Sequence, residues 1–369
     1  MKRIHPLIFL ATLIVIILGT LFFSPPFLTV TTPPPAATST TPIEATYPPL
    51  DKMIGQLFMI GHWANQPVAS TTDLLKAHHI GGVIIMSAPE DPLTISDWVT
   101  GWNNAVDSPL FVAIDQEGGP VSRLKQAPYA TTSQRQITTP EQAYTIGLAR
   151  GADLHNLGIN LNFAPVLETA NNPNSFLYER AFPAGSNRAA LASALISGMA
   201  TSHVAGVVKH FPGHADTPDD SHATLPEVSI SRSGLDIFTN NFRSLIKQNP
   251  PVAIMTAHVR YPLIDNQPAT LSHFFLTDYL RDELDFAGVI ITDDLIMQAI
   301  ATTTPSDAAA VQAILAGADI CLFAAEPEKV TAAIAAVQEA VIAGTINEAR
   351  IRASYDRIIA AKETLQLEP

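Results

Sequence analysis

The sequence from 209 to 226 reads Lys209-His210-Phe211-Pro212-Gly213-His214-Ala215-Asp216-Thr217-Pro218-Asp219-Asp220-Ser221-His222-Ala223-Thr224-Leu225-Pro226. It follows an apolar run, residues 204–208, that predicts a buried strand. Pro212, Gly213 and Pro218 exclude a regular helix, so we predict that the polar groups of this stretch lie on a loop after that strand. Such loops carry the chemistry in parallel α/β folds, because the strand anchors them while the loop can vary.

The chain from residue 50 onward repeats this arrangement of a short apolar run and a helical pattern. The eight predicted strands are residues 54–60, 83–86, 110–114, 159–166, 204–208, 252–256, 289–292 and 320–323. The clearest predicted helix has Thr139 as N-cap, Pro140 at its first position and Gln142 closing a capping box, and it extends to residue 157. Further helices are predicted at 187–203, 306–315, 328–343 and 347–365.

The alternation of eight strands with helices predicts an α/β fold, specifically a (β/α)8 TIM-type barrel. The alternative is a doubly wound open sheet, which would be expected to carry a glycine-rich dinucleotide fingerprint. No G-x-G-x-x-G sequence follows the first predicted strand. We therefore predict one catalytic barrel domain over residues 50–369.

Two segments precede this domain. Lys2 and Arg3 stand before an apolar stretch, residues 7–23, which continues less regularly for several positions. Residues 1–30 are interpreted as an uncleaved membrane anchor or, alternatively, a cleaved signal segment, although the residues after the apolar stretch form a poor cleavage site. Residues 31–49 are rich in proline and threonine and are interpreted as a linker. Both interpretations predict an extracytoplasmic domain, because the positive N-terminus stays inside.

The composition excludes two structural or functional classes. The formal net charge is −13, and the absence of a basic patch argues against nucleic-acid binding. Cys321 is the single cysteine, so no intrachain disulfide can form. It stands in an apolar run and is expected to be a buried, small hydrophobic residue.

Polar residues directly follow several of the predicted strands. They are Asp115 after the third strand, Lys209 and His210 after the fifth, His258 after the sixth, and Asp293 and Asp294 after the seventh. Charged groups in such places are costly unless they serve water, a partner or a substrate. Because the C-terminal ends of barrel strands meet on one face, we predict that these residues contribute to one site.

The opening stretch resembles one protein family closely. Lys-His-Phe-Pro-Gly-His at 209–214, Asp-Ser-His at 220–222 and Leu-Pro at 225–226 are similar to the signature of the family 3 glycoside hydrolases, in their bacterial β-N-acetylhexosaminidase branch. The resemblance covers roughly residues 50–366 and also implies a barrel. We therefore do not expect the second domain that many larger members of the family carry.

The resemblance implies roles for three residues. Asp293 looks like the family's nucleophile, and His222 would be the acid/base on a mobile loop, with Asp220 orienting its ring. A histidine suits this role because imidazole titrates near neutrality and, once neutral, does not repel an anionic nucleophile. Adjacent side chains in a strand point to opposite sides, so Asp294 is not expected to face the sugar together with Asp293.

Sugar binding requires fixed hydrogen-bond donors and acceptors for hydroxyl groups. By resemblance, the substrate-binding residues are Asp115, Arg123, Arg180, Lys209 and His210. The family normally has an arginine where this chain has Pro120, which weakens the expected support for that loop but leaves Arg123 in place.

The resemblance thus implies an enzyme, a retaining exo-β-N-acetylglucosaminidase. It would remove terminal non-reducing N-acetylglucosamine from peptidoglycan fragments or chitooligosaccharides. No cofactor or metal is expected. The expected partners are the carbohydrate substrate and the membrane, through the N-terminal segment, and the expected state is a monomer.

Four alternatives stay open from the sequence. A β-glucosidase of the same family is disfavoured because those members usually lack the Asp-Ser-His loop, and a phosphorylase would use phosphate in place of water. A metal-dependent hydrolase would ligate zinc through three histidines and an aspartate, namely His210, His214, His222 and Asp216. The four-residue histidine spacing usually works on a helix, which Pro212 and Gly213 exclude. A non-catalytic cell-wall-binding module would not require both the nucleophile and the Asp220–His222 pair.

Overall fold

Eight parallel strands form the centre of the protein in a computed structural model, which describes residues 47–126, 129, 132–217 and 219–367. The strands are β1 (Phe58–His62), β2 (Gly82–Ile85), β3 (Phe111–Ile114), β4 (Leu161–Asn162), β5 (Ala205–Phe211), β6 (Ala253–Thr256), β7 (Val289–Ile291) and β8 (Cys321–Phe323). Their order in the sheet is β7-β6-β5-β4-β3-β2-β1-β8. Ile291 and Ile320 pair in parallel and bring the two outer strands together. The predicted (β/α)8 barrel is confirmed.

The strands are buried along their whole length. Gly61 is the one residue of β1–β8 that is not fully buried. Strands covered on both faces are expected to be continuously apolar, as most of these are. A charged side chain inside such a strand is therefore costly unless another charge pairs with it. Lys209 in β5 is the example that matters for the site.

Helices connect the strands and cover the outside of the barrel. They are α1 (Leu50–Gln56), α2 (Val68–His78), α3 (Thr94–Asn103), α4 (Pro140–His155), α5 (Arg188–Ala200), α6 (Arg232–Phe238), α7 (Asn240–Gln248), α8 (Gln298–Ala301), α9 (Ser306–Ala316), α10 (Pro327–Ile342) and α11 (Glu348–Thr364), with 3-10 turns at Gln134–Gln136 and Ala269–Leu271 and a π-helix at Phe274–Glu283. The predicted start of α4 is confirmed, because the Thr139 hydroxyl accepts a hydrogen bond from the Gln142 N–H at 3.2 Å.

Three predicted strand boundaries were wrong. The first predicted strand, 54–60, overlaps helix α1, and β1 begins only at Phe58. The fourth, 159–166, is reduced to β4. The fifth extends beyond residue 208, so Lys209 and His210 lie inside β5 and not on the loop after it. Apolar runs do not distinguish a buried helix end from a buried strand, and a strand can continue through polar residues that have partners.

The predicted membrane or signal segment, 1–30, and the linker as far as residue 46 lie outside the described residues. Packing is observed from Tyr47, whose hydroxyl donates to Asp356 of helix α11 at 3.0 Å. Helix α1 begins at Leu50, the predicted first residue of the domain. Among the described helices, none combines the length and the apolar character that crossing a bilayer requires.

A short antiparallel hairpin follows β3 and shapes one side of the barrel mouth. Its strands are Gln116–Gly118 and Val121–Ser122. Gly118 has φ +87°, and a Cβ there would lie 2.0 Å from the Thr132 carbonyl oxygen, so this position requires glycine. The turn brings Glu117 and Arg123 back over the C-terminal end of β3.

Candidate active site

A cavity of about 580 Å³ opens at the C-terminal ends of the barrel strands. Seven of the eight site residues named from the sequence line it: Asp115, Arg123, Arg180, Lys209, His210, His222 and Asp293. The eighth, Asp220, is not part of the lining and instead contacts the ring of His222. Residues from five separate segments of the chain are thus brought to one place, as expected for this face of a barrel.

Five charged side chains form an ion-pair network on one side of the cavity. Lys209 Nζ lies 2.7 Å from Asp115 Oδ1 and 2.6 Å from Glu117 Oε1. Arg123 Nη2 lies 3.0 Å from Asp115 Oδ2, and Arg180 contacts both oxygens of Glu117 at 2.9 Å. Three cations therefore face two carboxylates, and Lys209 and Glu117 are almost completely buried. Each charge is held in a fixed position by the others.

The network keeps its carboxylates ionised. Burial alone would raise the pKa of Asp115, but the charges of Lys209 and Arg123 outweigh it and hold that pKa well below its ordinary value. The pKa of Glu117 is likewise lowered, by Arg180 and Lys209 against the effect of burial. Asp115 is a cavity-lining carboxylate with its charge in place, and it can accept hydrogen bonds from sugar hydroxyls.

A second buried network surrounds Glu168, which the sequence analysis did not identify. Glu168 Oε1 accepts from the backbone N–H of His210 at 3.1 Å and contacts His210 Nδ1 at 2.5 Å. Glu168 Oε2 accepts from the backbone N–H of His214 and contacts His214 Nδ1 at 3.0 Å. Although burial raises the pKa of Glu168, the two histidines lower it well below its ordinary value.

This contact pattern fixes which ring nitrogen of each histidine carries a proton. A carboxylate only accepts hydrogen bonds, so Nδ1 of both His210 and His214 must donate to Glu168. Burial lowers the pKa of His210, which favours its neutral form. His210 then presents an unprotonated Nε2, which can accept a hydrogen bond from a sugar hydroxyl in the cavity.

A closed ring of hydrogen bonds holds Asp293 at the end of β7. The backbone N–H of Asp293 donates to Thr256 Oγ1 at 3.4 Å, and Thr256 Oγ1 lies 2.7 Å from Thr270 Oγ1. His258 Nδ1 lies 2.8 Å from Thr270 Oγ1, and its Nε2 lies 2.9 Å from the carbonyl oxygen of Asp294. The N–H of Asp294 donates back to Asp293 Oδ1 at 2.8 Å. We call these five residues the nucleophile ring.

One proton arrangement satisfies every member of the nucleophile ring. Burial lowers the pKa of His258, so its ring carries one proton at neutral pH. The Asp294 carbonyl can only accept, which places that proton on Nε2. The one proton of the Thr270 hydroxyl is then shared between His258 Nδ1 at 2.8 Å and the Ala257 carbonyl oxygen at 3.0 Å, and Thr270 Oγ1 accepts from Thr256. The ring fixes the backbone and one carboxylate oxygen of Asp293, and the other oxygen has no hydrogen-bond partner among the described residues.

The neighbouring carboxyl groups Asp293 and Asp294 differ in protonation. Burial raises the pKa of both, but for Asp293 the nearby His258 and His210 and the Asp294 N–H lower it below the ordinary value. For Asp294 burial dominates and raises the pKa to about 7. Both residues line the cavity, and that only one of them faces the sugar stays a prediction. Asp294 Oδ1 is nevertheless occupied by the N–H groups of Ile296 and Ala324.

The Asp220–His222 pair stands on the loop after β5. His222 Nδ1 lies 2.7 Å from Asp220 Oδ1, which also accepts from the His222 backbone N–H at 3.0 Å. Burial raises the pKa of Asp220, but the hydrogen bonds from His222 outweigh this and lower it. Asp220 therefore stays ionised and keeps the Nδ1 proton in place, which leaves His222 Nε2 free to exchange protons in the cavity.

The residues that come close enough to bind a metal ion differ from the four that the sequence predicted. Of the proposed zinc ligands, His210 and His214 converge, with Glu168 as the third group, and their ligand atoms lie within 4.8 Å of one another. His222 contacts Asp220 instead, and the fourth expected ligand, Asp216, accepts from backbone N–H groups of the loop 171–172. The four expected zinc ligands therefore do not come together. In the described residues, Glu168 instead forms hydrogen bonds with His210 and His214.

Some residues of the site were not predicted, because little in the sequence marks them as functional. Glu168 follows the fourth predicted strand, as Asp115 follows the third, so the same reasoning could have included it. His258 was noted after the sixth strand but had no assigned role. Thr256 and Thr270 have no signal in the sequence, because threonines at strand and turn ends are common and only the fold brings these two together.

The sequence is similar to those of known glycoside hydrolases. The family model described as "Glycosyl hydrolase family 3 N terminal domain" matches residues 49–361. A β-hexosaminidase A from Pseudoalteromonas piscicida is 32% identical over 333 residues, covering 80% of this chain and 55% of that protein. A β-hexosaminidase from Pseudomonas aeruginosa (strain LESB58) is 34% identical over 281 residues, covering 73% of this chain and 82% of that protein. The chain thus spans just over half the length of the first relative.

Solved structures have the same fold. A glycoside hydrolase family 3 β-N-acetylglucosaminidase from Paenibacillus sp. str. FPU-7 superposes with a TM-score of 0.81 and 34% identity, covering 88% of this chain and 64% of that one. A β-N-acetylhexosaminidase from Beutenbergia cavernae DSM 12333 gives a TM-score of 0.79 and 29% identity, covering 86% of this chain and 99% of that one.

Proposed function

This chain belongs to glycosyl hydrolase family 3, and from that premise we propose that it is a retaining exo-β-N-acetylglucosaminidase. The substrate would be a terminal, non-reducing, β-linked N-acetylglucosamine of a peptidoglycan fragment or a chitooligosaccharide. One observation carries the proposal: a half-buried, ionised Asp293 and His222, which is paired with Asp220, line the same cavity. The names of the related proteins support the sugar specificity.

In the first step, Asp293 attacks the anomeric carbon with its free carboxylate oxygen. The bond between that carbon and the glycosidic oxygen breaks, and His222 Nε2 gives its proton to the departing oxygen. A covalent glycosyl-enzyme is formed and the aglycone leaves as an alcohol. Asp220 stabilises the protonated ring before transfer and holds its orientation through Nδ1, as the acid of a catalytic triad does.

In the second step, water attacks the anomeric carbon from the side the aglycone left. His222 Nε2, now neutral, removes a proton from the water, and the bond to Asp293 breaks, which restores the carboxylate. Two inversions give retention of configuration. The charges balance throughout, because the proton given to the aglycone in the first step is recovered from water in the second.

The ion-pair network would bind the sugar. Asp115 can accept from neighbouring hydroxyls, while Arg123 and Lys209 supply N–H donors at fixed positions. His210 Nε2 adds an acceptor. Because the members of the network already pair with one another, no unpaired buried charge is left behind when the sugar leaves.

The location and oligomeric state belong to the proposal as well. We propose an extracytoplasmic enzyme held to the membrane by residues 1–30, or secreted if that segment is cleaved, and acting as a monomer. The support for the location is the sequence alone, with Lys2 and Arg3 before an apolar stretch. Fractionation of cells, followed by washing of the membranes with salt and with detergent, tests it. Release by detergent only is the expected result, and activity confined to the cytoplasm would contradict it.

The activity is tested by release of nitrophenol from 4-nitrophenyl N-acetyl-β-glucosaminide and from the matching β-glucoside. The expected result is turnover of the first substrate, with the β-anomer of the sugar appearing first by NMR. Preference for the glucoside would favour a β-glucosidase, and a requirement for added phosphate would favour a phosphorylase. Loss of activity with a chelator would favour the metal-dependent alternative, and no turnover of either substrate would favour a binding module.

A further inference from the structure

Ser221 is buried on a loop that is otherwise exposed. Its exposed fraction is 2%, and among the described residues between 215 and 225 it is the only one in the buried class. The side chains on either side of it, Asp220 and His222, are 45% and 65% exposed. A loop that buries one polar side chain between two exposed ones has a specific contact there, because burying an unpaired hydroxyl is unfavourable.

The contact is with His214. Ser221 Oγ lies 3.3 Å from His214 Nε2, and His214 is 1% exposed. His214 Nδ1 donates to Glu168, so in the neutral ring Nε2 accepts the hydroxyl proton of Ser221. Ring packing also restricts the movement of the His214 imidazole, which makes T-shaped contacts with the rings of Phe176 and His210 at centroid distances of 5.3 Å. The partner of Ser221 is therefore rigid.

We propose that Ser221 is a positioning residue that docks the Asp220–His222 pair over the cavity through its hydrogen bond to His214. It does not touch the reacting atoms. The same carboxylate, Glu168, holds His214 through Oε2 and the cavity-lining His210 through Oε1. Glu168 therefore holds both the loop that would carry the acid/base, through His214 and Ser221, and the strand that would bind the sugar, through His210.

The proposal rests on the proposed function and makes a distinct kinetic statement. Proton transfer requires His222 within hydrogen-bond reach of the glycosidic oxygen, and small displacements of a catalytic group are costly. Attack by Asp293 does not depend on the loop, because the nucleophile ring lies on other segments of the barrel. Loss of the Ser221 hydroxyl should therefore slow only the reactions that need a proton.

The test compares wild type, Ser221→Ala and Thr217→Val on aryl N-acetyl-β-glucosaminides with leaving phenols of graded acidity. Thr217 is the matched control, because its hydroxyl also bonds within the loop, to the Asp219 N–H at 3.1 Å, but has no described contact with His214 or Glu168. For Ser221→Ala, kcat/KM should fall roughly thirtyfold on the unsubstituted phenyl glycoside and less than about twofold on the dinitrophenyl glycoside. Thr217→Val should stay close to wild type on both.

A second readout uses azide, a small anion that needs no general base. Azide should raise the kcat of Ser221→Ala on the dinitrophenyl glycoside more than that of wild type, with a β-glycosyl azide as product. An equal loss of kcat/KM on all leaving groups, or no loss on the phenyl glycoside, would overturn the proposal. Wild-type protein without activity on any of these substrates would instead refute the proposed function, so the two failures can be told apart.

Discussion

The two halves of the proposed mechanism are built in opposite ways. Asp293 is half-buried just beyond the end of a barrel strand, and the nucleophile ring fixes both its backbone and one of its oxygens. His222 stands on an exposed loop, and its described partner is Asp220 on the same loop. The nucleophile is therefore held by a ring of contacts distant in sequence. The described distant contacts of the acid/base loop are fewer and do not involve His222 itself: Ser221 bonds to His214, and Asp216 accepts from the N–H groups of residues 171–172.

The difference follows from what each group has to do. A nucleophile attacks one carbon from one direction, so a fixed position lowers the entropic cost of reaching the transition state. The acid/base serves two different oxygens, first that of the aglycone and then that of water, and the substrate must pass it on entry. A loop with few contacts can move for this purpose, whereas a strand end surrounded by hydrogen bonds cannot.

The largest expected effect comes from removing the nucleophile itself. Asp293→Asn keeps the shape of the side chain but removes its charge, and kcat should fall on the order of 10⁴-fold or more on every substrate. The measurement is nitrophenol release, together with a search by mass spectrometry for the covalent glycosyl-enzyme, which should be absent in the variant.

The same substitution one residue later is the matched control. Asp294 has its pKa raised to about 7 by burial, so near neutrality an amide resembles its protonated form. Asn at this position can still accept from the N–H groups of Ile296 and Ala324. Asp294→Asn should therefore stay within about fivefold of wild type at pH 6. A severe loss in Asp294→Asn with activity retained in Asp293→Asn would reverse the assignment.

Removing the acid/base should give a smaller and selective effect. We expect His222→Ala to lose roughly 10²- to 10³-fold in kcat/KM on disaccharides and far less on dinitrophenyl glycosides, which need no proton. The measurement is a plot of log kcat/KM against leaving-group pKa, which should be steeper than that of wild type. Parallel plots for variant and wild type would remove His222 from the acid role.

A substitution in the nucleophile ring at a residue outside the cavity lining should lower kcat/KM equally for all leaving groups, unlike His222→Ala. Thr270→Val preserves the shape of the side chain but removes the hydroxyl that links Thr256 to His258. Because Asp293 serves every substrate equally, kcat/KM should fall about tenfold with no dependence on the leaving group. Thr270→Ser retains the hydroxyl and is the control. A leaving-group dependence in Thr270→Val would show that the ring and the loop are not separate units.

The smallest expected effect is on the free energy of unfolding, and it comes from Lys362, which lies outside both the nucleophile ring and the acid/base loop. Lys362 is buried, its Nζ donates to Gln56 Oε1 at 2.6 Å, and desolvation lowers its pKa to about 7. The unfolded chain, with an ordinary lysine pKa, binds more protons between pH 7 and about 10, so unfolding free energy should rise with pH there by up to about 1.4 kcal/mol per pH unit.

Lys362→Met tests this assignment, since it keeps the apolar length of the side chain and removes the charge. Urea denaturation at several pH values should show the rise with pH in wild type and a weaker dependence in the variant. An unchanged slope would mean that Lys362 is not the titrating group. Activity of the variant at pH 7 should match wild type, because Lys362 is not part of the cavity lining.

Sequence reasoning succeeded for the features encoded within a few residues. The repeated apolar runs predicted the barrel, and five of the six polar residues noted after the predicted strands line the cavity. The role of His222 came from a resemblance and stays a prediction. Boundaries were less accurate, and Lys209 and His210 proved to be part of β5, because tertiary ion pairs allow a charged residue inside a buried strand.

The sequence by itself determined the alternation of strands and helices, and with it the face of the barrel where the polar residues had to meet. Only the tertiary structure decided how those residues are held. Glu168 stands 46 positions before His214, and Thr256 and Thr270 reach Asp293 from another segment of the chain. The physical reason is that periodicity reports which side of an element is buried, whereas a hydrogen-bond partner is chosen by proximity in space.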